Sequence, residues 1–155
     1  MMSGPGGLLR LRAEDADDLA ILSAAVQDAL FKIKDALFDA RGRRFTLAID
    51  RFRWETAGSV GPYERIKAGL SFDGVTAVKS LRVRQDRPEA QAWLLALEFI
   101  PDPDPPGGVI RLVLAGDGEI RLTVECVDAA LVEVGAAWLT PRKPDHSQDF
   151  AGIGS

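Results

Sequence analysis

Residues 107–134, GGVIRLVLAGDGEIRLTVECVDAALVEV, decide the fold. Ile110, Leu112 and Leu114 alternate with Arg111 and Val113, and Gly116-Asp117-Gly118 follow. Two glycines around an aspartate supply the φ > 0 positions of a tight two-residue hairpin turn. On the return limb Ile120, Leu122, Val124 and Cys126 fall in one phase, and Glu119, Arg121, Thr123 and Glu125 in the other. This period of two predicts an antiparallel sheet with one buried and one wet face, leading into a further strand.

Working back along the chain, residues 101–108 (PDPDPPGG) hold four prolines, which remove donors and fix φ, so they form a loop. Residues 92–100, around Trp93, Leu95, Leu97 and Phe99, form an apolar run read as a strand, although 92–98 would also tolerate a helical turn. Residues 75–83 alternate weakly, and 63–72 place Ile66, Ala68, Leu70 and Phe72 inward. In the strand that begins near Arg44, Phe45, Leu47 and Ile49 share a face, but the next large apolar residues are Phe52 and Trp54. That slip of phase predicts a β-bulge near Asp50-Arg51. Short strands are expected over 30–33, 35–39 and 8–12, with a turn at 39–42.

Over 14–27 the period changes. Leu19, Leu22 and Val26 make an apolar stripe, widened by Ile21 and Ala25, behind a first turn rich in Asp and Glu. That is one amphipathic helix, its acids at the positive end of the helix dipole. The expected fold is therefore α+β: mostly antiparallel, about eight strands in a curved sheet or barrel, with one N-terminal helix. Residues 66–72 and 75–80 are echoed by 120–126 and 129–134 at a spacing of 54. The echo raises two pseudo-repeated halves; the alternative is that strands resemble one another by chance.

A chain of 155 residues, 46% of them hydrophobic, suffices for one core. The expected organisation is a single domain over 8–146, between a disordered N-terminus (1–7) and a disordered tail (147–155). The net charge of -4 opposes general nucleic-acid binding. Yet residues 41–84 carry ten Lys/Arg against four Asp/Glu, so a basic middle sits between acidic flanks. One cysteine excludes an intrachain disulfide and fits a reducing compartment. No signal peptide or membrane-length apolar run is evident, so the expectation is a cytoplasmic protein.

Chemistry-bearing motifs are sparse. The sequence has no Gly-rich phosphate loop, CxxC or HExxH. With one histidine and one cysteine, N/S metal sites are nearly excluded, and no metal or cofactor is expected. Histidine catalysis would rest on His146 alone. Cys126 falls in the inward phase as core filler, and Asp102 and Asp104 belong to a solvated loop rather than a Ca²⁺ site. No catalytic residue is named. The suggestive group is Arg51, Arg53 and Trp54, with Arg65 and Lys67 on the next strand. By period its cations share an outer face, where they would hold an anion or an acidic partner protein. Against this stands a solvated face whose arginines pair with nearby acids such as Glu55 and Glu64.

Arg51-Phe52-Arg53-Trp54-Glu55, Phe72-Asp73-Gly74-Val75, Gly118 to Leu122 with Val124-Glu125-Cys126, and Pro141 to His146 together resemble a family of uncharacterised alphaproteobacterial proteins, a domain of unknown function. The resemblance covers about residues 8–146. It implies a bacterial, cytoplasmic, single-domain protein and transfers no site residue.

Two functions remain. The first is a non-enzymatic binding or adaptor module, acting through a sheet edge or the basic face. The second is an enzyme or small-molecule binder with a cleft between two β halves. A concave pocket with convergent polar groups would favour the second. Nucleic-acid binding ranks below both.

Overall fold

The computed structural model describes residues 8–56 and 63–140. Eleven strands and one α-helix follow in the order β1 (Arg10–Ala13), α1 (Ala16–Ala25), β2 (Ala29–Lys32), β3 (Ala36–Asp39), β4 (Arg44–Phe52), β5 (Tyr63–Asp73), β6 (Val75–Leu81), β7 (Gln91–Pro101), β8 (Gly108–Leu114), β9 (Glu119–Val124), β10 (Ala129–Glu133) and β11 (Trp138–Thr140). Every pairing is antiparallel. The expected α+β architecture with one helix is present, with eleven strands rather than about eight, and the ladder does not close into a barrel. β1, β2 and β3 fall on the short strands expected near 8–12, 30–33 and 35–39, while β11, of three residues, lies in a stretch where no strand was expected. The expected disordered ends (1–7 and 147–155), the 141–146 motif and most of the loop before Tyr63 lie outside the described residues.

The sheet runs β1-β10-β5-β4-β2-β7-β8-β9-β6, with β3 also on β4 and β11 on β5. From β10 to β6 this order reads alike from either end when the unit β2/β3–β4–β5–β6 is exchanged with β7–β8–β9–β10. First strands meet each other, and each unit's last strand lies outside the other's third. The echo at a spacing of 54 falls on strands that this exchange interchanges, β5 with β9 and β6 with β10.

Only Gly74 separates β5 from β6, and the chain bends there at φ +71, a conformation that strains any residue with a Cβ. Because β5 pairs with β10 and β6 with β9, the bent strands make one ribbon linking the two ends of the path. Asp73 N–H donates to Asp128 O and Glu125 N–H to Gly74 O, both at 2.9 Å, across that corner. The sheet thereby curls round one apolar cluster, which joins Phe45 and Leu47 of β4 to Ile110 and Leu112 of distant β8.

The β8–β9 hairpin has the expected register. Ile110, Leu112, Leu114, Ile120, Leu122 and Val124 are buried, and Arg121 and Thr123 are exposed. Cys126 lies past the end of β9 and is only half-buried. The turn is longer than the two residues expected. Leu114 N–H donates to Gly118 O at 3.0 Å around Ala115–Asp117. Gly116 and Asp117 take positive φ, while Gly118 is extended at φ -84.

The bulge expected near Asp50-Arg51 is absent, since β4 and β5 pair without interruption from Arg44↔Asp73 to Phe52↔Arg65. The inward phase Phe45, Leu47, Ile49 continues to Arg51, which is buried, and Phe52 is buried on the other face. An arginine holding a core position had masqueraded as a slip of phase. The register shifts lie in β7, between Leu94 and Ala96, and in β6, between Val75 and Ala77. Residues 92–100 are strand throughout, so the helical alternative falls.

Helix α1 is shorter than the expected 14–27. Asp15 caps it by accepting from Asp18 N–H at 2.8 Å. Leu19, Leu22 and Val26 are buried as expected, while Ile21 is 63% exposed and not part of the stripe. The helix packs on β7 and β1, and Ser23 Oγ accepts from Leu97 N–H at 2.9 Å beside the β7 bulge.

Candidate functional site

The residues expected to form a basic outer face divide between the two sides of β4 and β5. Arg51, 1% exposed, lies inside. Its Nε donates to Ala25 O at 2.8 Å, its two terminal nitrogens grip Glu55 at 2.6 and 3.0 Å, and Nη1 reaches Glu133 Oε2 at 2.7 Å. Arg53 is half-buried and donates to Glu133 Oε1 at 2.9 Å and to Glu64 at 3.4 Å. On the opposite face, Arg65 lies between the Phe52 and Trp93 rings and donates to Asp50 O at 3.1 Å. Burial lowers its pKa from the usual arginine value, against the pull of Asp50 and Asp28. Trp54 packs edge-on against Phe52 and donates to Gln27 O at 2.8 Å. Lys67, exposed, pairs with Asp50 at 2.6 Å over the Trp138 ring. The five residues therefore do not form one exposed patch. The pairings with Glu55 and Glu64 are those expected of the non-functional alternative, and Glu133 from the acidic flank completes them.

Glu133 is the hub. It ends β10, is 1% exposed, and also accepts from Leu9 N–H at 2.8 Å, which ties the entry to β1. Burial by itself would raise its pKa. The hydrogen bonds from Arg53 and Leu9 and the charges of Arg51 and Arg53 outweigh burial, and the carboxyl is held below its usual range. This cluster is a structural clamp on β1, β4 and β10.

A different feature offers a binding surface. At β10 the edge away from β5 carries β1, and α1 lies across β1 and β7. At the counterpart strand β6, the edge away from β9 carries no strand among the described residues. Beside it a groove of about 320 Å³ opens between β3 and β6, lined by Ile33, Ala36, Phe38, Phe45, Val78 and Val83 among others. Phe45 belongs to the core, so the groove is a mouth into the core between two strand edges.

The outer face beside this edge is charged. Glu98, Arg111, Arg121 and Lys79 stand directly opposite one another across β7, β8, β9 and β6. Arg111 bridges Glu98 and Glu119, both at 2.6 Å, and Arg121 reaches Glu119 at 2.8 Å. Hydrogen bonds from Arg121 and Arg111 hold the Glu119 carboxyl below its usual range. Lys79, exposed at the end of the row, makes no ion pair among the described residues.

A second cavity, of about 350 Å³, opens where β2 and β3 part from β4. Lys32, Lys34, Asp35, Asp50, Lys67 and Gln91 bring polar groups to it. Single-strand alternation located neither opening, because each forms between segments distant in sequence. The usable signal was Lys79, an isolated charge in a weakly alternating strand, which is how edge strands are marked.

The model of a family described as "Protein of unknown function (DUF2948)" matches residues 9–146. No curated protein and no solved structure matches the chain. No helix among the described residues is long and apolar enough to cross a membrane.

Proposed function

We propose that this chain, which belongs to the DUF2948 family, is a non-enzymatic binding module whose β6 edge takes an extended segment of a partner protein. The observation that carries the reading is the contrast between two corresponding edges: β10 is covered by β1, and β6, apart from the Val75 N–H bonded to Arg43 O, has no strand on it among the described residues and lies above an apolar mouth. A strand added there makes main-chain hydrogen bonds for affinity, and its alternate side chains enter the groove for specificity. Docking on Arg51, Arg53, Arg65 and Lys67 has less support, because protein carboxylates, carbonyls and rings already engage them.

A second reading, a small-molecule binder, draws on the cavity of about 350 Å³ with its three lysines and two aspartates. Lys67 is already committed to Asp50, and Lys32 and Lys34 to Glu89, so this reading ranks second.

Peptide-display selection on the immobilised protein, followed by amide chemical-shift mapping, tests the first reading. The expected result is extended peptides that perturb β6 and mouth residues such as Phe38 and Val83. Selection of no peptide, or perturbation confined to other surfaces, overturns it.

A further inference from the structure

The charge row beside the open edge narrows the class of partner. Across β7, β8, β9 and β6 the row reads Glu98, Arg111, Arg121, Lys79: one anion, then three cations in direct cross-strand register. Directly opposed like charges on adjacent strands are unfavourable. Glu119 relieves Arg111 and Arg121 by bonding both, but makes no contact with Lys79. A further strand on β6 would put a residue opposite Lys79, continuing the row. On the inward side, Val78 and Ser80 lie in register with buried Leu122 and Ile120 and line the mouth, so an added strand's alternate residues would meet apolar neighbours there.

Resting on the edge-binding reading above, we infer that the segment taken by β6 is an extended acidic-apolar peptide. Its Asp or Glu side chains face Lys79 and Arg121, and its intervening apolar side chains enter the mouth between β3 and β6. The covered edge shows the apolar half of this pattern. β1 lies on β10 with Ala13 buried, Leu11 half-buried and Arg10 and Arg12 exposed. A second copy pairing β6 on β6 would add cations to the row rather than an anion, so it is the wrong occupant.

The test uses three blocked peptides of about seven residues, an ordinary strand length. They share alternating Val, Ile and Leu and differ in the intervening residues: Glu/Asp, Gln/Ser or Lys/Arg. Titration against the full chain at low salt should rank acidic above neutral above basic, with about fivefold between acidic and neutral for a partly exposed ion pair. The gap should narrow as salt rises, Lys79→Glu should invert the order, and amide shifts should map to β6 and the mouth. Equal binding of all three peptides at β6, unmoved by Lys79→Glu, overturns the acidic assignment and leaves the edge reading standing. Binding of none overturns both. Acidic-peptide binding that maps only to the Arg111 and Arg121 face, or self-association through β6 in place of peptide binding, also overturns the proposal.

Discussion

The molecule has two corresponding strand edges treated in opposite ways. At one, β10 is sealed by β1, α1 closes over β7, and Glu133 locks the joint by holding Leu9, Arg51 and Arg53. At the other, β6 carries no strand on its outer edge among the described residues, with Phe38 36% exposed and Lys79 exposed on the strand. Leu19, Leu22 and Val26 show what sealing contributes: each is at most 1% exposed. A strand edge over an apolar mouth exposes unpaired backbone groups and apolar surface together. The filled side shows how such an opening is covered from within the chain, and on the proposed reading a partner segment covers the other.

The largest effect expected is at the lock. Glu133→Ala removes the carboxylate from a buried pair with Arg51 and should cost about 3–5 kcal/mol in chemical denaturation. A loss below about 1 kcal/mol, the range of exposed pairs, would make the sealed joint no tighter than the surface. Leu22→Ala, in the helix that closes the same side, should cost about 2–5 kcal/mol by the same measurement.

Acid sharpens the contrast. Glu133 has a lowered folded-state pKa, so its stabilisation is complete above the unfolded value of about 4.3 and is lost as pH falls through the lower folded value. The stability gap between the native chain and Glu133→Gln should therefore be widest near neutrality and shrink steadily below about pH 4. A gap independent of pH would show that the carboxylate's charge contributes nothing. The smallest effect belongs to the open side. Phe38→Ser should change stability by less than about 1 kcal/mol, as exposed positions do, while weakening any peptide held in the mouth. A loss as large as that of Leu22→Ala would mean that this side too is part of the closed core.

The alternation in residues 107–134 made the hairpin legible, because β9 sets buried Ile120, Leu122 and Val124 against exposed Arg121 and Thr123, and β8 sets buried Ile110, Leu112 and Leu114 against half-buried Val109, Arg111 and Val113. Helix α1 was legible through Leu19, Leu22 and Val26, although the Asp15 cap starts it later, and Ala25 ends it earlier, than the apolar spacing suggested. Arg51 shows where periodicity misleads. A buried arginine reads as an outward residue, and the partner that permits its burial, Glu133, lies 82 residues away. The β7 register shift was equally hidden, since Trp93, Leu94, Leu95 and Leu97 are all apolar and carry no phase. The open mouth was illegible for a related reason. It exists because β6 and β3 end up facing each other without pairing, a property of strand order rather than of either segment.

Residue-resolved native-state hydrogen exchange compares the two edges most directly. The account predicts that β10 amides are protected on both edges by β5 and β1. Alternate amides of β6 beyond Val75, whose N–H donates to Arg43 O, face away from β9; they should exchange rapidly in the free protein and become protected when an acidic-apolar peptide is added. Uniform protection along β6 in the free protein, matching that of β10, would contradict it.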